Sequence, residues 1–465
     1  MSGRWLWLRY ARTIVVSCAL VHSSLAADSG AERSLSSSSW NVDSACSMSW
    51  DRNAPLSLSN AVDLALCNNA QIRASWAAIR EQAAAVGEAK SAYWPTLSLS
   101  VGELKEYLGY PGSRVPATAE SDYTVYSTLD WRLFDFGARD AGRRVAQANL
   151  NAAMSSGDSV IEKTCGAVIS AYFSSMTARA VIADKTDNES IAQDILISAQ
   201  RRELQGRGAQ NDTLQAASTV ARTALDKSRA MGDFDKAMAQ LVYLLGLSPG
   251  SPIQLPQEMS DDARSDERDL RDWLGETELH HPAIVAARAA LDAAQAQVSA
   301  ARASGRPTID FNANYYQNAY PYEGLTNTNT RQSTIGISIT VPIFDGFATH
   351  YKVAGAEATV KEKEADLQDT VQATLMGVIN AYADAQSSLR NLRSSEDLMQ
   401  AAQAAFDSSK RRYEGGVAEI SELLTTRTAL ADAKGERLRC LSEWRTARLS
   451  LMTSAGQLNR TDVQE

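Results

Sequence analysis

The chain has 465 residues, a formal net charge of −9 and a sequence pI of about 5.2. This acidic balance, without a basic cluster, argues against a nucleic-acid-binding function. Only 11 prolines interrupt a sequence rich in Ala and Ser, which favours a mostly helical protein.

The first 26 residues have the pattern of a secretory signal peptide. Arg4, Arg9 and Arg12 form a basic start, residues 13–20 are mostly apolar, and a small residue, Ala26, fits a cleavage site. The alternative is an ordinary N-terminal helix. Residues 27–56 are rich in Ser and lack periodicity, so we predict a flexible leader.

Cys46 and Cys67 lie close together near the start of the mature chain. In the oxidising compartment that a signal peptide implies, they could form a disulfide that ties the leader to the first helix, and two unpaired thiols are the alternative. Cys165 and Cys440 fall in helical patterns and are predicted to be buried. The four histidines show no ligand spacing, so we predict no metal site and no cofactor.

Periodicity predicts one order of elements in the first half of the chain, residues 57–247. A helix leads to Trp94 and stops before Pro95, and alternating apolar residues then indicate a β-hairpin. Two further helices follow, separated at Gly206 and Gly208. The predicted ranges are a helix from Ser57 to Trp94, a β-hairpin over 96–134, a long helix over 138–205 and a helix over 211–246.

The same order then repeats. Ile72 has its counterpart 212 residues later in Ile284, and Phe134 has its counterpart 210 residues later in Phe344. The matching Pro, Gly and strand positions argue for duplication over a chance likeness between Ala-rich segments. The predicted ranges are a linker over 248–267, a second repeat over 268–456 with a hairpin over 308–344 and helices over 348–413 and 420–454, and a tail over 457–465.

The two short helices of each half nearly equal its long helix in summed length. We therefore expect them to stack end to end beside the long helix as a coiled coil. In the second long helix, apolar residues recur every seven positions, as in a heptad seam: Val371, Val378, Ala385, Leu392, Met399, Phe406 and Tyr413.

Two hairpins give four strands per chain, with one apolar and one polar face. After the signal no stretch reaches the ~18 consecutive apolar residues of a membrane helix. Four strands cannot close on themselves, and in lipid every strand edge must be paired. Either the sheet stays in water, or three chains pool twelve strands. Aromatic residues at the strand–helix junctions would then form an interfacial girdle: Trp94, Trp131, Phe134 and Phe344.

Several motifs, taken in this order, resemble the TolC family of outer-membrane factors. They are Leu-Phe-Asp-Phe-Gly over 133–137, Ile-Phe-Asp-Gly over 343–346, Arg-Tyr-Glu-Gly-Gly-Val-Ala-Glu-Ile-Ser-Glu-Leu-Leu over 412–424, and the opening from Pro55 to Asn69. The resemblance implies a mainly α fold with transmembrane β, in which a homotrimer forms a twelve-stranded barrel in the outer membrane of a Gram-negative bacterium. A periplasmic α-helical tunnel would continue the barrel.

This resemblance also implies a passive exit duct, not an enzyme, that docks a periplasmic adaptor and an inner-membrane ABC transporter or other pump. No nucleophile elbow, phosphate loop or metal triad argues for catalysis. The hairpin tips would contact the adaptor through exposed backbone at glycines: Gly206, Gly208, Gly415 and Gly416.

By alignment with the family's motifs, Asp212, Tyr413 and Glu422 match residues that close the periplasmic entrance. Ala418 and Thr425 stand where the family has an Arg and an acid, so we expect a weaker or differently wired gate. For Asp212 the alternative role is a helix N-cap, and for Tyr413 it is a seam residue. Arginines that could replace the missing one are Arg207, Arg411 and Arg412.

The segment Ala-Leu-Cys-Asn-Asn over 65–69, with a Cys upstream, resembles the CyaE-type branch of the family. That branch implies type I secretion of large proteins such as repeat-containing toxins. Drug efflux is the alternative cargo class. A soluble periplasmic coiled-coil adaptor is the alternative of another class, and the alternating strand pattern argues against it.

Overall fold

A computed structural model describes residue 46 and residues 54–112, 114, 116–256, 268–318 and 330–458. The expected signal peptide, nearly all of the leader, residues 257–267 of the linker and residues 459–465 of the tail lie outside the described residues. The elements are α1 (Leu58–Asn68), α2 (Ala70–Ser91), β1 (Thr96–Leu108), β2 (Thr118–Phe134), α3 (Ala138–Leu204), α4 (Gln210–Leu244), α5 (Leu270–His280), α6 (Pro282–Ala303), β3 (Thr308–Gln317), β4 (Arg331–Thr340), α7 (Ala348–Glu414) and α8 (Ile420–Ser454).

The expected single helix before each hairpin is two helices. Asn69 has an extended backbone, its side-chain oxygen accepts from Gln71 N at 2.8 Å, and its Nδ2 donates to Leu244 O at 2.9 Å. In the second half His281 has the same extended backbone because Pro282 follows it. A cap residue therefore breaks each helix and directs the second part along the bundle.

The four strands form one antiparallel sheet in the order β1-β2-β3-β4. Strand β2 pairs with β3, so the sheet joins the two halves. Strand β4 ends at Thr340, short of the hairpin end expected at 344, because Pro342 lacks the N–H that a ladder needs. One face is polar, with Arg132 Nε donating to Asp310 at 2.9 Å. The other face exposes large apolar residues: Leu97, Leu99, Val101, Tyr123, Ile335, Ile337 and Ile339.

Each strand–helix junction is built on a Phe-Asp pair. Asp135 Oδ2 accepts from Arg139 N, and Asp345 Oδ2 accepts from Thr349 N, both at 2.9 Å. These carboxylates satisfy N–H groups that a helix start leaves without a partner. Gly137 and Gly346 have φ of 94° and 66°, a left-handed conformation in which glycine avoids strain. In each junction a left-handed pair follows the Asp, Phe136-Gly137 in the first and Gly346-Phe347 in the second, and turns the chain from sheet into helix.

Helices α3 and α7 have 67 residues each, about 100 Å at 1.5 Å per residue. Helices α2 and α4 pack along α3, α6 lies against both α3 and α7, and α8 lies against α7 and α3. Among the described helices, α3 alone has a window apolar enough to cross a membrane, but 44% of that window is buried inside the fold. The window is thus consistent with a core role.

The largest apolar cluster lies where α1 and α5 meet α3, α7 and α8. Leu56 is fully buried, and its N–H donates to Gln254 O at 2.7 Å. Leu255 and Leu458 are buried as well. The end of the expected flexible leader, part of the expected linker and the start of the tail are therefore packed parts of this core.

Cys46 and Cys67 are joined by a disulfide in the structure. The bond connects the leader to α1 across 21 residues of sequence. Cys165 and Cys440 are free and buried, as their helical surroundings predicted.

Glu162, on α3, is a buried carboxyl group in this core. Burial, together with the neighbouring charge of Asp158, raises the pKa of Glu162 to about 8. Burial also raises the pKa of Asp158. A carboxyl that ionises at higher pH in the folded than in the unfolded chain binds an extra proton when folded.

We predict that stability falls as pH rises from about 4.5 to about 8, by at most about 1.4 kcal/mol per pH unit from Glu162. Glu162→Gln should flatten this slope and raise the melting temperature at pH 8. Thermal unfolding of the purified protein between pH 4.5 and 9 checks this. Glu364→Gln, at an exposed position on α7, is the control; equal slopes in both variants would contradict the assignment.

If the exposed apolar face of the sheet contacts lipid, an arginine should destabilise the protein at one residue of β4 and be tolerated at the next. Ile337→Arg should cost about 2–4 kcal/mol because it places a charge in lipid. Ser338→Arg, one residue on and facing the polar side, should cost much less. The measurement is the amount of oligomer recovered from the outer-membrane fraction. Equal recovery of both variants would show that this face does not contact lipid.

Candidate functional site

Two helical hairpin tips lie at the end of the bundle opposite the sheet. In the first, Arg207 N donates to Arg202 O at 2.8 Å; in the second, Val417 N donates to Arg412 O at 3.0 Å. These bonds close the C-termini of α3 and α7 around residues in the left-handed conformation, Gly206 at φ 68° and Gly416 at φ 77°. Gly206 and Gly416, two of the glycines expected at the tips, therefore terminate α3 and α7.

Gly208 and Gly415 complete the two tips in a different way. A Cβ at Gly208 would lie 3.0 Å from the Arg202 Cβ and 3.3 Å from backbone, so the turn is too tight for a side chain without adjustment. At Gly415 the nearest atom would be Arg411 O at 3.4 Å, an ordinary contact. Close packing therefore explains Gly208, whereas Gly415 leaves room for a side chain.

Arg202 connects the two tips. Its guanidinium donates to the carbonyls of Tyr413 and Glu414, the latter at 3.3 Å, and its Cζ lies 4.1 Å from the centre of the Tyr413 ring. Charge-assisted hydrogen bonds and cation–π contacts are the stronger kinds of polar contact. An arginine of the first hairpin therefore holds the end of the second hairpin in place.

Tyr413 is 5% exposed and packs in an apolar cluster with Phe406, Ile420 and Leu423. Burial raises the pKa of its hydroxyl, and the charge of Asp212 adds to this rise while Arg202 opposes it. Tyr413 is therefore both a buried seam residue and a partner of Arg202. The two roles do not exclude each other.

Asp212 and Glu422 occupy equivalent positions in the first turns of α4 and α8. The helix cap before Asp212 is Ala209, so the alternative role of Asp212 as an N-cap is wrong. Glu422 Oε1 accepts from Arg412 Nη1 at 2.6 Å, inside the second hairpin. Arg412, one of the three arginines considered from the sequence, therefore pairs with the expected entrance carboxylate.

The two positions that depart from the family pattern carry no charge in the tip. Ala418 packs against the apolar cluster, and Thr425 donates its hydroxyl to Ser421 O at 2.8 Å. Six basic and five acidic side chains lie in residues 201–213 and 410–422. The tips of one chain are therefore not a predominantly acidic surface.

Arg427, on α8, makes a second connection higher in the bundle. It is 3% exposed, and its guanidinium donates to Asn188 O on α3. Burial lowers the pKa of Arg427, and the charge of Asp184 opposes that shift. Its Nε–H has no acceptor among the described residues. Neither Arg202 nor Arg427 was assigned a role from the sequence, since each bonds a backbone carbonyl more than 200 residues away.

The four aromatic residues expected at the membrane boundary are all exposed at the sheet–helix junctions. Their exposed fractions range from 41% to 76%: Trp94, Trp131, Phe134 and Phe344. Trp131 is also positioned, because its Nε1 donates to Tyr93 O at 3.0 Å. Exposed rings at one level of a structure are typical of an interface between lipid and water.

Comparisons with known proteins agree with this architecture. A family model described as "Outer membrane efflux protein" matches residues 61–247 and 273–457, which are the two repeats. Protein CyaE of Bordetella pertussis is 34% identical over 417 residues, covering 89% of this chain and 86% of that protein. The alkaline protease secretion protein AprF of Pseudomonas aeruginosa is 26% identical over 74% of this chain and 72% of its own length.

Among solved structures, the CmeC outer membrane channel of Campylobacter jejuni superposes with a TM-score of 0.77. It is 15% identical and the match covers 89% of this chain and 91% of that one. The expected resemblance to the TolC family and to its CyaE-type branch is confirmed. The fold is that of the trimeric outer-membrane channel tunnels, a transmembrane sheet continued by a long α-helical body.

Loss of the contact between the tips should loosen their closure. Arg202→Ala removes a charge-assisted contact worth about 1.5–3 kcal/mol, so we expect an open state at least about tenfold more populated. The measurement is single-channel conductance in planar bilayers. The control is Arg201→Ala, at the exposed neighbouring position. Equal conductance of the two variants would reject Arg202 as a closing contact.

Proposed function

Because the chain belongs to the outer membrane efflux protein family, we propose that three copies form the exit duct of a type I protein secretion machine. The protein is an outer-membrane channel that extends into the periplasm. In the proposed assembly a periplasmic adaptor joins the duct to an inner-membrane ABC transporter. The duct itself is passive and catalyses no reaction.

The observation that carries the proposal is the open sheet. Among the described residues, strands β1 and β4 each have one neighbour, so each leaves a row of backbone N–H and C=O groups unpaired at an edge of the sheet. In lipid such groups cost several kcal/mol each. Pairing β4 of one copy with β1 of the next satisfies both edges. Three copies give twelve strands, within the range of outer-membrane barrels.

The helical tips supply the proposed periplasmic entrance. Arg202 on Tyr413 and Arg412 on Glu422 hold the closed arrangement, and Asp212 adds a carboxylate close to Tyr413. The exposed tips, with Leu204 at 89% and Val417 at 72% exposure, offer the surface for the adaptor. Apolar side chains at a tip that is otherwise charged suit a contact with another protein.

Protein cargo is favoured by the relatives' names. AprF is named for the secretion of alkaline protease, and CyaE gives the match with the higher identity. Small-molecule efflux remains the second candidate because the family itself is described as efflux proteins. The family and the fold argue against the alternative function, a soluble periplasmic adaptor.

Removal of the gene should make the two cargo classes distinguishable. We expect one or more large proteins to disappear from the culture medium, because they have no exit through the outer membrane. The minimal inhibitory concentrations of drugs should change less than twofold. Mass spectrometry of the medium and a susceptibility panel measure both.

Two complemented strains serve as controls. The wild-type gene should restore the secreted protein, and the Ile337→Arg variant should not. An unchanged set of secreted proteins together with increased drug sensitivity would reject protein secretion in favour of efflux.

A further inference from the structure

The internal duplication gives every residue of the tip-forming helices a counterpart in the other half. Helices α3 and α7 both have 67 residues and α4 and α8 both have 35, and equivalent positions lie 210 residues apart. Within the chain, α8 of the second half also lies against α3 of the first half. The equivalent contact, α4 against α7, has no comparable extent in the part of the chain that the structure describes.

One face of α3 is covered by α8. Asn188 on that face is 7% exposed, and its carbonyl accepts from the Arg427 guanidinium of α8. The counterpart of Asn188 on α7 is Leu398, which is 51% exposed. Along this face, residues of α3 that are buried or half-buried have exposed counterparts on α7: Asp184, Asn188, Ile191, Ile195 and Arg202 in α3, and Ser394, Leu398, Ala401, Ala405 and Arg412 in α7. We call these five residues of α7 the seam face.

Helix α4 shows the same difference on its own side. Arg427 and Ala431 of α8 are 3% and 9% exposed, whereas their counterparts on α4, Ala217 and Ala221, are exposed. Helices α4 and α7 thus expose surfaces that their counterparts α8 and α3 bury against each other. Two different surfaces of one chain that fit each other make a head-to-tail contact, which generates a ring of copies when the rotation closes.

The residues outside the described ranges are less suited to covering the seam face. Its centre is apolar, with Leu398, Ala401 and Ala405. Residues 257–267 contain five acids, residues 27–45 contain seven serines, and residues 459–465 contain one large apolar residue, Val463. An apolar surface is best covered by another apolar surface, which α4 supplies.

We propose that α4 of a neighbouring copy covers the seam face, with Leu398 packed on Ala217 and Ala221 of that copy. This proposal rests on the three-copy duct and names the contact that closes its helical body. Strand β4 and α7 belong to the second half of the chain, and β1 and α4 belong to the first. Both the sheet contact and the helix contact therefore join the second half of one copy to the first half of the next.

The contact inside a chain and the contact between copies then differ in chemistry. Inside a chain the contact buries the charged Arg427, which donates to Asn188 O. Between copies the equivalent positions are Ala217 and Leu398, which carry neither a charge nor a side-chain donor. The contact between copies is therefore apolar at the height where the contact inside a chain depends on an arginine.

A similar difference is present at the tips. Arg202 donates to the second hairpin of its own chain, whereas its counterpart Arg412 donates to Glu422 within its own hairpin. Separation of two copies therefore exposes apolar surface and breaks neither of the two arginine contacts, from Arg202 and Arg427, that hold one chain's hairpins together. The contact between copies is the weaker of the two.

Cross-linking of the full-length protein in a non-ionic detergent tests the contact. Ala217→Cys together with Leu398→Cys should give, with a short bis-maleimide, covalent species of two and three chains on a denaturing gel. Native mass spectrometry of the untreated protein reports the trimer itself. A trimer without a covalent link overturns this contact and leaves the exit duct intact, whereas the absence of a trimer rejects both.

Three controls fix the position of the link. Leu398→Cys alone should stay at the mass of one chain. Ser228→Cys with Leu398→Cys should do the same, because Ser228 is exposed on the same side of α4 but about 16 Å from Ala217; equal linking of the two pairs would overturn the pairing of Leu398 with Ala217. Removal of residues 27–45 should leave the link unchanged. A link that forms only after that removal would make the leader the occupant and overturn the proposal.

The apolar chemistry of the contact has its own test. Three substitutions together place the arginine contact of the chain interior between copies: Ser394→Asp, Leu398→Asn and Ala217→Arg. The fraction of time that single channels in planar bilayers are open should fall at least about tenfold, the effect of one hydrogen bond to a charged group. The first two substitutions alone should raise this fraction, because they remove the apolar contact. Equal fractions in the triple and double variants would overturn the position of Ala217 opposite Leu398.

Discussion

In the sheet that the structure describes, strands β1 and β4 each leave a row of backbone N–H and C=O groups unpaired, at the two edges of a sheet with an exposed apolar face. Water could satisfy those groups but would be in contact with the apolar face, and lipid suits the face but not the edges. Only pairing with further strands meets both demands. The oligomer is therefore a consequence of the sheet, and the long helices inherit its circular arrangement, since each leaves the sheet through a fixed Phe-Asp junction.

Duplication explains how one chain supplies two equivalent wall units, and the differences between the halves show where each unit has its own role. The caps Asn69 and His281 break equivalent helices by different means, a side-chain amide in one case and an imidazole before a proline in the other. At the core, Leu56 and Leu255 pack in the apolar cluster of the first half, while arginines line a cavity between α5, α7 and α8 in the second half. The two repeats therefore share their backbone geometry but differ in the side chains that they expose.

Periodicity was sufficient for most of the fold. The long helix expected over 138–205 runs to Leu204, and the helix over 420–454 has the expected bounds. Features that depend on long-range contacts were not accessible in this way. The break at Asn69 depends on a carbonyl of Leu244, and Arg202 acts on Tyr413, 211 residues later. A local sequence pattern cannot predict partners that lie so far away in the chain. The end of β4 is different, because Pro342 was a local signal for it.

The contacts that Arg202 and Arg427 make between the two helical hairpins limit how the periplasmic entrance could open. Arg202 joins them at the tips, and Arg427 joins α8 to Asn188, about 21 Å higher along α3. Two contacts at different heights resist rotation as well as separation. A motion that preserves both must carry the two hairpins of one chain together, so the first gaps would appear between chains. A motion that breaks only the lower contact would bend the tips below Asn188, and the left-handed glycines Gly206 and Gly416 lie in the part that would move. Two opening motions are therefore possible. One keeps both arginine contacts and separates the chains, and the other breaks the Arg202 contact and bends the tips.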